Sequence, residues 1–174
     1  MKSDVIIIDN QGNGFEDAVA ETRRVAAYTE LDETNSLRLQ LLTEELLSLA
    51  HSVTGEMKAS FWIECEEKQY HLHMTTQTVM DAEKRYLLLN SATSRKNEAA
   101  RSFLGKLRDA FETAMASEPD VNIPDEALND LANHPIEIPE WDEYEQSILR
   151  KVADQVRIGI RGRTVDMTVS KRFN

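Results

Sequence analysis

The sequence predicts an α+β domain: a two-layer α/β sandwich in which a mostly antiparallel sheet is covered on one face by helices. Three observations carry this expectation. From Lys58 to Glu66 the chain alternates strictly, with Ala59, Phe61, Ile63 and Cys65 on one side and Ser60, Trp62 and Glu64 on the other; Tyr70, Leu72 and Met74 resume the pattern after a polar turn. A second alternation, Val156, Ile158 and Ile160 against Arg157 and Gly159 and then Val165, Met167, Val169, is interrupted by the turn Arg161-Gly162-Arg163-Thr164. A period of two with one apolar side is the pattern of hairpins that bury a single face. Third, Leu39, Leu42, Leu46, Leu49 and Val53 recur at steps of three and four, which places them in one stripe of a helix running from Leu37 to Val53.

The remaining elements follow in chain order. Val5-Ile6-Ile7-Ile8 is a short β-branched strand, and Asp9 to Gly14 is a turn. Gly12 and Gly14 lack the fuller glycine and lysine pattern of a phosphate loop, so they read as turn residues. Asn13 stands three residues before Glu16, a capping-box spacing. Phe15, Ala18, Val19, Thr22, Val25 and Ala26 then give a helix ending near Tyr28, and Thr29 to Ser36 reads as a polar link. Leu37, Leu41, Leu47 and Ala50 lie off the main stripe of the central helix, which predicts that protein covers it on more than one side. Gly55 is placed to cap its end. Asp81 to Leu89 reads as a short helix, and Asn90 to Asn97 as a polar loop whose Ser91, Thr93 and Ser94 are candidate caps. Further helices are expected from Ala100 to Ser117 (with Gly105 inside it), from Asp125 to Asn133, and from Pro139 to Val152.

At 174 residues, a single domain spanning 1–174 is expected, with the helical stretch at about 82–153 as an insertion. No apolar run approaches membrane-spanning length, and MKSDVIIIDNQ resembles neither a signal peptide nor an anchor, so no membrane association is expected. Cys65 is the only cysteine, which excludes an internal disulfide and a thiolate metal cluster and suits a cytoplasmic location. Its alternation with Phe61 and Ile63 predicts a buried structural thiol. The net charge of −11 argues against nucleic-acid binding. That charge is localised: residues 110–149 carry eleven acids and no Lys or Arg, while the other 20 acids balance the 20 bases. Such a segment attracts a basic partner surface, or is simply a soluble outer face.

Two polar constellations stand out. Glu44, Ser48 and His51 fall at i, i+4 and i+7 on the central helix, opposite its main stripe. A carboxylate, a hydroxyl and an imidazole in a row can position water, a metal or a phosphate; spacing alone favours a solvated face. His71 and His73 lie two apart on the outward side of a strand, a spacing that can chelate a metal. With no third ligand evident, exposed cross-strand residues are the better reading.

The order strand, helix, central helix, hairpin, helical insertion, terminal hairpin resembles the histidine-kinase-like ATPase fold of the GHKL group. Within it, the chain is most similar to the small anti-sigma-factor serine kinases. There the central helix carries a Glu and, four residues later, an Asn, often with a His near the end; the matching stretch here is Leu41 to His51. The terminal RIGIRGRTVDMTVSKRF looks like the family's closing strands. The resemblance makes Glu44 the catalytic base, puts Ser48 where a magnesium-binding Asn stands, and places Ser48, His51 and Asp81 at the nucleotide. ATP and Mg²⁺ are the cofactors it implies for an active site. The chain departs from the family after the first hairpin. Met74-Thr75-Thr76-Gln77-Thr78-Val79-Met80-Asp81 contains no glycine where the family has Asp-x-Gly-x-Gly, and Asp81 comes late. The Gly-rich box that closes over phosphates is also missing; Ser102 to Lys106 does not replace it. Two functions from different classes follow. One is a regulatory protein-binding module with a decayed ATP site, its partner a protein and a homodimer one form it can take. The other is an active ATP-binding serine protein kinase.

Overall fold

The computed structural model describes residues 1–9, 11–54, 58–100, 113 and 148–174. The helix expected over 125–133, that over 100–117 apart from residues 100 and 113, the start of the helix expected at Pro139, and the Gly55 cap lie outside these residues.

Strand β1 (Ile6–Asp9) opens the fold, and helix α1 (Phe15–Tyr28) follows. The turn between them is built on Asp9. Its carboxylate accepts from the backbone N–H groups of Gln11 (2.9 Å) and Asn13 (3.1 Å) and from the Asn13 side-chain amide (2.7 Å). Asn13 is therefore not a helix cap. The N-cap is Gly14, with φ 85° and no side-chain cap bond. Glycine is required here twice over: the φ is left-handed, and a Cβ would collide with the carbonyl oxygen of Ile7.

Helix α2 (Glu33–Thr54) begins earlier than its apolar stripe suggested. Asp32 accepts from the Asn35 N–H (3.0 Å) and starts the helix inside the segment read as a link. Leu39, Leu42, Leu46, Leu47 and Ala50 are fully buried, so α2 is indeed covered on more than one side. It packs against α1, where the Thr22 and Thr43 hydroxyls meet at 2.9 Å in the core. Leu37, by contrast, is exposed.

Strands β2 (Lys58–Glu66) and β3 (Gln69–Gln77) form the first hairpin. Their register pairs Glu66 with Gln69, leaving a two-residue loop. Glu67 (φ 48°) and Lys68 (φ 62°) are both left-handed, as a type I′ loop demands, although neither is glycine. Helix α3 (Ala82–Ser91) follows, capped by Asp81. A single 3-10 turn (Glu98–Ala100) and the short helix α4 (Ile148–Val152) precede the terminal hairpin of β4 (Gln155–Arg161) and β5 (Thr164–Arg172). Gly162 (φ 59°) takes the first central position of that turn.

The five strands make one antiparallel sheet in the order β1-β2-β3-β5-β4. The terminal hairpin is joined to the first one over nine residue pairs, from Gln69–Arg172 to Gln77–Thr164. Alternation decides the two faces. Phe61, Ile63, Leu72, Met74, Ile158, Val165, Met167 and Val169 are buried in a single core with residues of helices α1 to α4, which pack on that side. The architecture is thus mixed α+β, a five-stranded antiparallel sheet with four helices among the described residues.

The β4 edge is met by the 93–97 loop, through side chains, a backbone bond and a single parallel bridge between Asn97 and Ile158. Asn97 Oδ1 accepts from the Ile160 N–H (2.8 Å) while its Nδ2 donates to the Ile160 carbonyl (2.9 Å). The Thr93 hydroxyl accepts from the Val156 N–H (2.7 Å), and the Thr93 N–H donates to the Val156 carbonyl (2.9 Å). An edge strand with satisfied backbone groups no longer templates another strand.

Candidate functional site

The row expected on the central helix is present as a row. Glu44, Ser48 and His51 are all exposed on α2, and among the described residues none of them makes a hydrogen bond or ion pair. Asp81 is engaged elsewhere. Its Oδ1 accepts from the Lys84 N–H (2.8 Å), and its Oδ2 lies 3.6 Å from Lys84 Nζ, which also donates to the Val79 carbonyl (3.1 Å). The carboxylate is held as the cap of α3, and no hydrogen bond or ion pair joins it to the Glu44 row. The linking segment is likewise committed to structure: Thr78 is buried and its N–H donates to the Arg163 carbonyl (2.8 Å).

The sheet's other face carries a denser polar arrangement. Trp62 and His73 stack with centroids 5.0 Å apart and planes 12° from parallel. Lys2 Nζ sits 5.1 Å above the Trp62 ring and 3.0 Å from Glu64, and Trp62 Nε1 donates to Glu64 (3.1 Å). These hydrogen bonds from Lys2 and Trp62 hold the Glu64 carboxyl below its ordinary range, against the opposing effect of burial. His71 Nδ1 contacts Ser170 Oγ (2.8 Å) and His73 Nδ1 contacts Thr168 Oγ1 (3.2 Å). Burial pushes His73 below the usual histidine value; Glu64 opposes this, while His71, Lys2 and Arg157 reinforce it. Its Nε2 lies 3.6 Å from Glu64, too far for a hydrogen bond, and is unpaired while the ring is neutral.

The two histidines are therefore half-buried cross-strand residues with hydroxyl partners. Among the described residues no group of three His, Cys, Asp or Glu side chains is placed to hold a metal. Cys65 is a buried free thiol. At the β4 side of this face lies a depression of about 290 Å³, lined by Glu98, Ala99, Arg157, Gly159, Arg161, Asp166 and Thr168. Asp166 is clamped there between Arg161 (3.1 Å) and the Thr75 hydroxyl (2.9 Å). Sequence reasoning put Arg157 and Gly159 on the outward side of β4 without gathering them with Glu98. The available signal was the glycine inside an otherwise regular strand.

On the sheet face two imidazoles meet hydroxyls, His71 with Ser170 and His73 with Thr168, whereas among the described residues the α2 row has no such pairing. The α2 row is exposed, and the sheet face is a set of polar side chains hydrogen-bonded to one another. No family model matches this chain, and no curated protein shows significant similarity to it. No helix among the described residues is long and apolar enough to cross a membrane.

Proposed function

We infer that the chain is a regulatory, cytoplasmic protein-binding module on a histidine-kinase-like ATPase scaffold whose nucleotide site has decayed. The scaffold reading is supported by the strand order, by both hairpins meeting through β3 and β5, and by α1 and α2 sharing one face of the sheet. The observation that carries the decay is Asp81. It is the only acid in the Thr75–Asp81 segment, where an adenine-reading carboxylate belongs, and it is committed to capping α3. No glycine in that segment lets a backbone approach a nucleotide. Ser48 in place of an amide ligand weakens a magnesium site as well. The sequence-encoded acidity of residues 110–149 suits a basic protein surface as partner.

Glu44 favours the second reading, an active serine protein kinase: it is exposed and unpaired, as a base must be. One titration separates the two. For a micromolar site, millimolar ATP with Mg²⁺ stabilises the fold by roughly 4 kcal/mol and raises the melting temperature by several degrees. The expected result is no rise. A clear rise, together with phosphoryl transfer abolished by Glu44→Gln, establishes the kinase instead.

A further inference from the structure

The depression beside β4 has a floor that the fold does not need. Gly159 sits inside a regular strand, without a left-handed backbone. A Cβ there would meet nothing nearer than Ala99 at 3.8 Å and Asp166 at 3.9 Å, which is ordinary contact. Glycine within a strand costs backbone entropy and packing. Neither conformation nor crowding requires it at this position. What the missing side chain preserves is the open space above it.

Arg157 is the second observation. It lines the depression, its Nε is buried without a hydrogen-bond partner, and among the described residues it makes no hydrogen bond or ion pair. Arg161, the other guanidinium, is held by Asp166. An unmet buried donor is costly, and a planar guanidinium matches a carboxylate through two parallel hydrogen bonds. Thr168 adds a hydroxyl. When His73 Nδ1 donates to Thr168 Oγ1, the threonine hydrogen is free to turn toward the depression. The lining carries two arginines and two acids, Glu98 and Asp166, and is neutral overall, so a monoanion is accommodated more readily than a dianion.

We propose that the depression floored by Gly159 is a carboxylate-binding site, with Arg157 taking the carboxylate and Thr168 supplying a hydroxyl. The carboxylate belongs either to a small free acid or to an Asp or Glu side chain of a polypeptide. This site lies on the sheet face away from Glu44 and does not depend on how the nucleotide question is answered.

The test is ¹⁵N–¹H NMR of the full chain near pH 6, following the Arg157 Nε–H and the Gly159 and Thr168 amides. Three probes are titrated: sodium benzoate, the blocked peptide acetyl-Gly-Glu-Gly-amide, and sodium phosphate. The expected result is saturable movement of these three signals with benzoate or the peptide, at a Kd on the order of millimolar, as suits one charge-assisted pair in a shallow site. Saturation by benzoate alone assigns a free acid, and saturation by the peptide assigns a side chain. Arg157→Gln should weaken binding about tenfold or more. Gly159→Val fills the depression and should abolish binding while leaving the melting temperature equal or higher, since valine favours a strand. Gly159→Ala gives the same direction should valine prove too large. The proposal is overturned if the signals move only linearly with every probe, if phosphate binds as tightly as benzoate, or if both variants bind like the parent chain.

Discussion

The outward row of α2 and the outward face of the sheet are both polar, yet they are organised differently. On α2, Glu44, Ser48 and His51 are neighbours by helical spacing alone, and among the described residues no hydrogen bond or ion pair holds them. On the sheet, Trp62, His73, Thr168 and Asp166 come from three strands and are fixed by a stack and hydrogen bonds. Spacing brings groups together for free. Only packing and partners restrict their geometry, and a restricted geometry is what recognition needs. The sheet face is therefore the better-built surface, and the helix row is the one whose chemistry depends on something binding it.

The comparison breaks first at the core beneath the sheet face. Phe61→Ala, at a fully buried position, should cost about 3–5 kcal/mol in urea unfolding and loosen both faces of β2. Next is the edge clamp. Asn97→Ala strips the Ile160 N–H and carbonyl of their partners and should cost on the order of 2–4 kcal/mol, with the β4 amides losing hydrogen-exchange protection. A smaller effect of opposite sign comes from the first hairpin. Lys68→Gly relieves a left-handed residue and should add up to about 1 kcal/mol to the unfolding free energy.

His73 sharpens the contrast through pH. Its folded-state value lies below that of the unfolded chain, so the unfolded state binds the extra proton first as pH falls. Stability should be full above about 6.5 and decline from there toward the folded-state value. Trp62 fluorescence should be quenched as the stacked ring protonates, and His73→Gln should remove that transition. If the decline persists in His73→Gln, another group carries it. Smallest of all, Glu44→Ala, Ser48→Ala and His51→Ala should each change stability by less than about 0.5 kcal/mol, because these side chains are exposed and, among the described residues, make no hydrogen bond or ion pair. A larger loss would mean that the row is structurally engaged after all.

Much of the fold was legible. The alternations around Phe61 and Met167 named the buried face, and of the leucine stripe Leu39, Leu42 and Leu46 are in the core of α2, while Leu49 is only partly buried and Leu47 and Ala50, off the stripe, are fully buried. The misread places are local competitions. Asn13 has a cap-like spacing to Glu16, but Asp9 holds its amide. The first turn of α2 is polar, so it reads as a link although Asp32 caps it. The candidate site was less legible. Arg157 and Gly159 were visible as outward residues, but Glu98 joins them only because the Asn97 side chain docks the loop on β4.

By itself the sequence determined which side of each strand and helix is apolar, since a period of two or 3.6 is written within a few residues. It did not determine which strands lie side by side. The order β1-β2-β3-β5-β4, the meeting of His73 with Thr168 across 95 residues, and the depression over Gly159 were decided by the tertiary structure. The physical reason is range: register between distant strands is chosen by the whole buried face at once, and no short stretch encodes it.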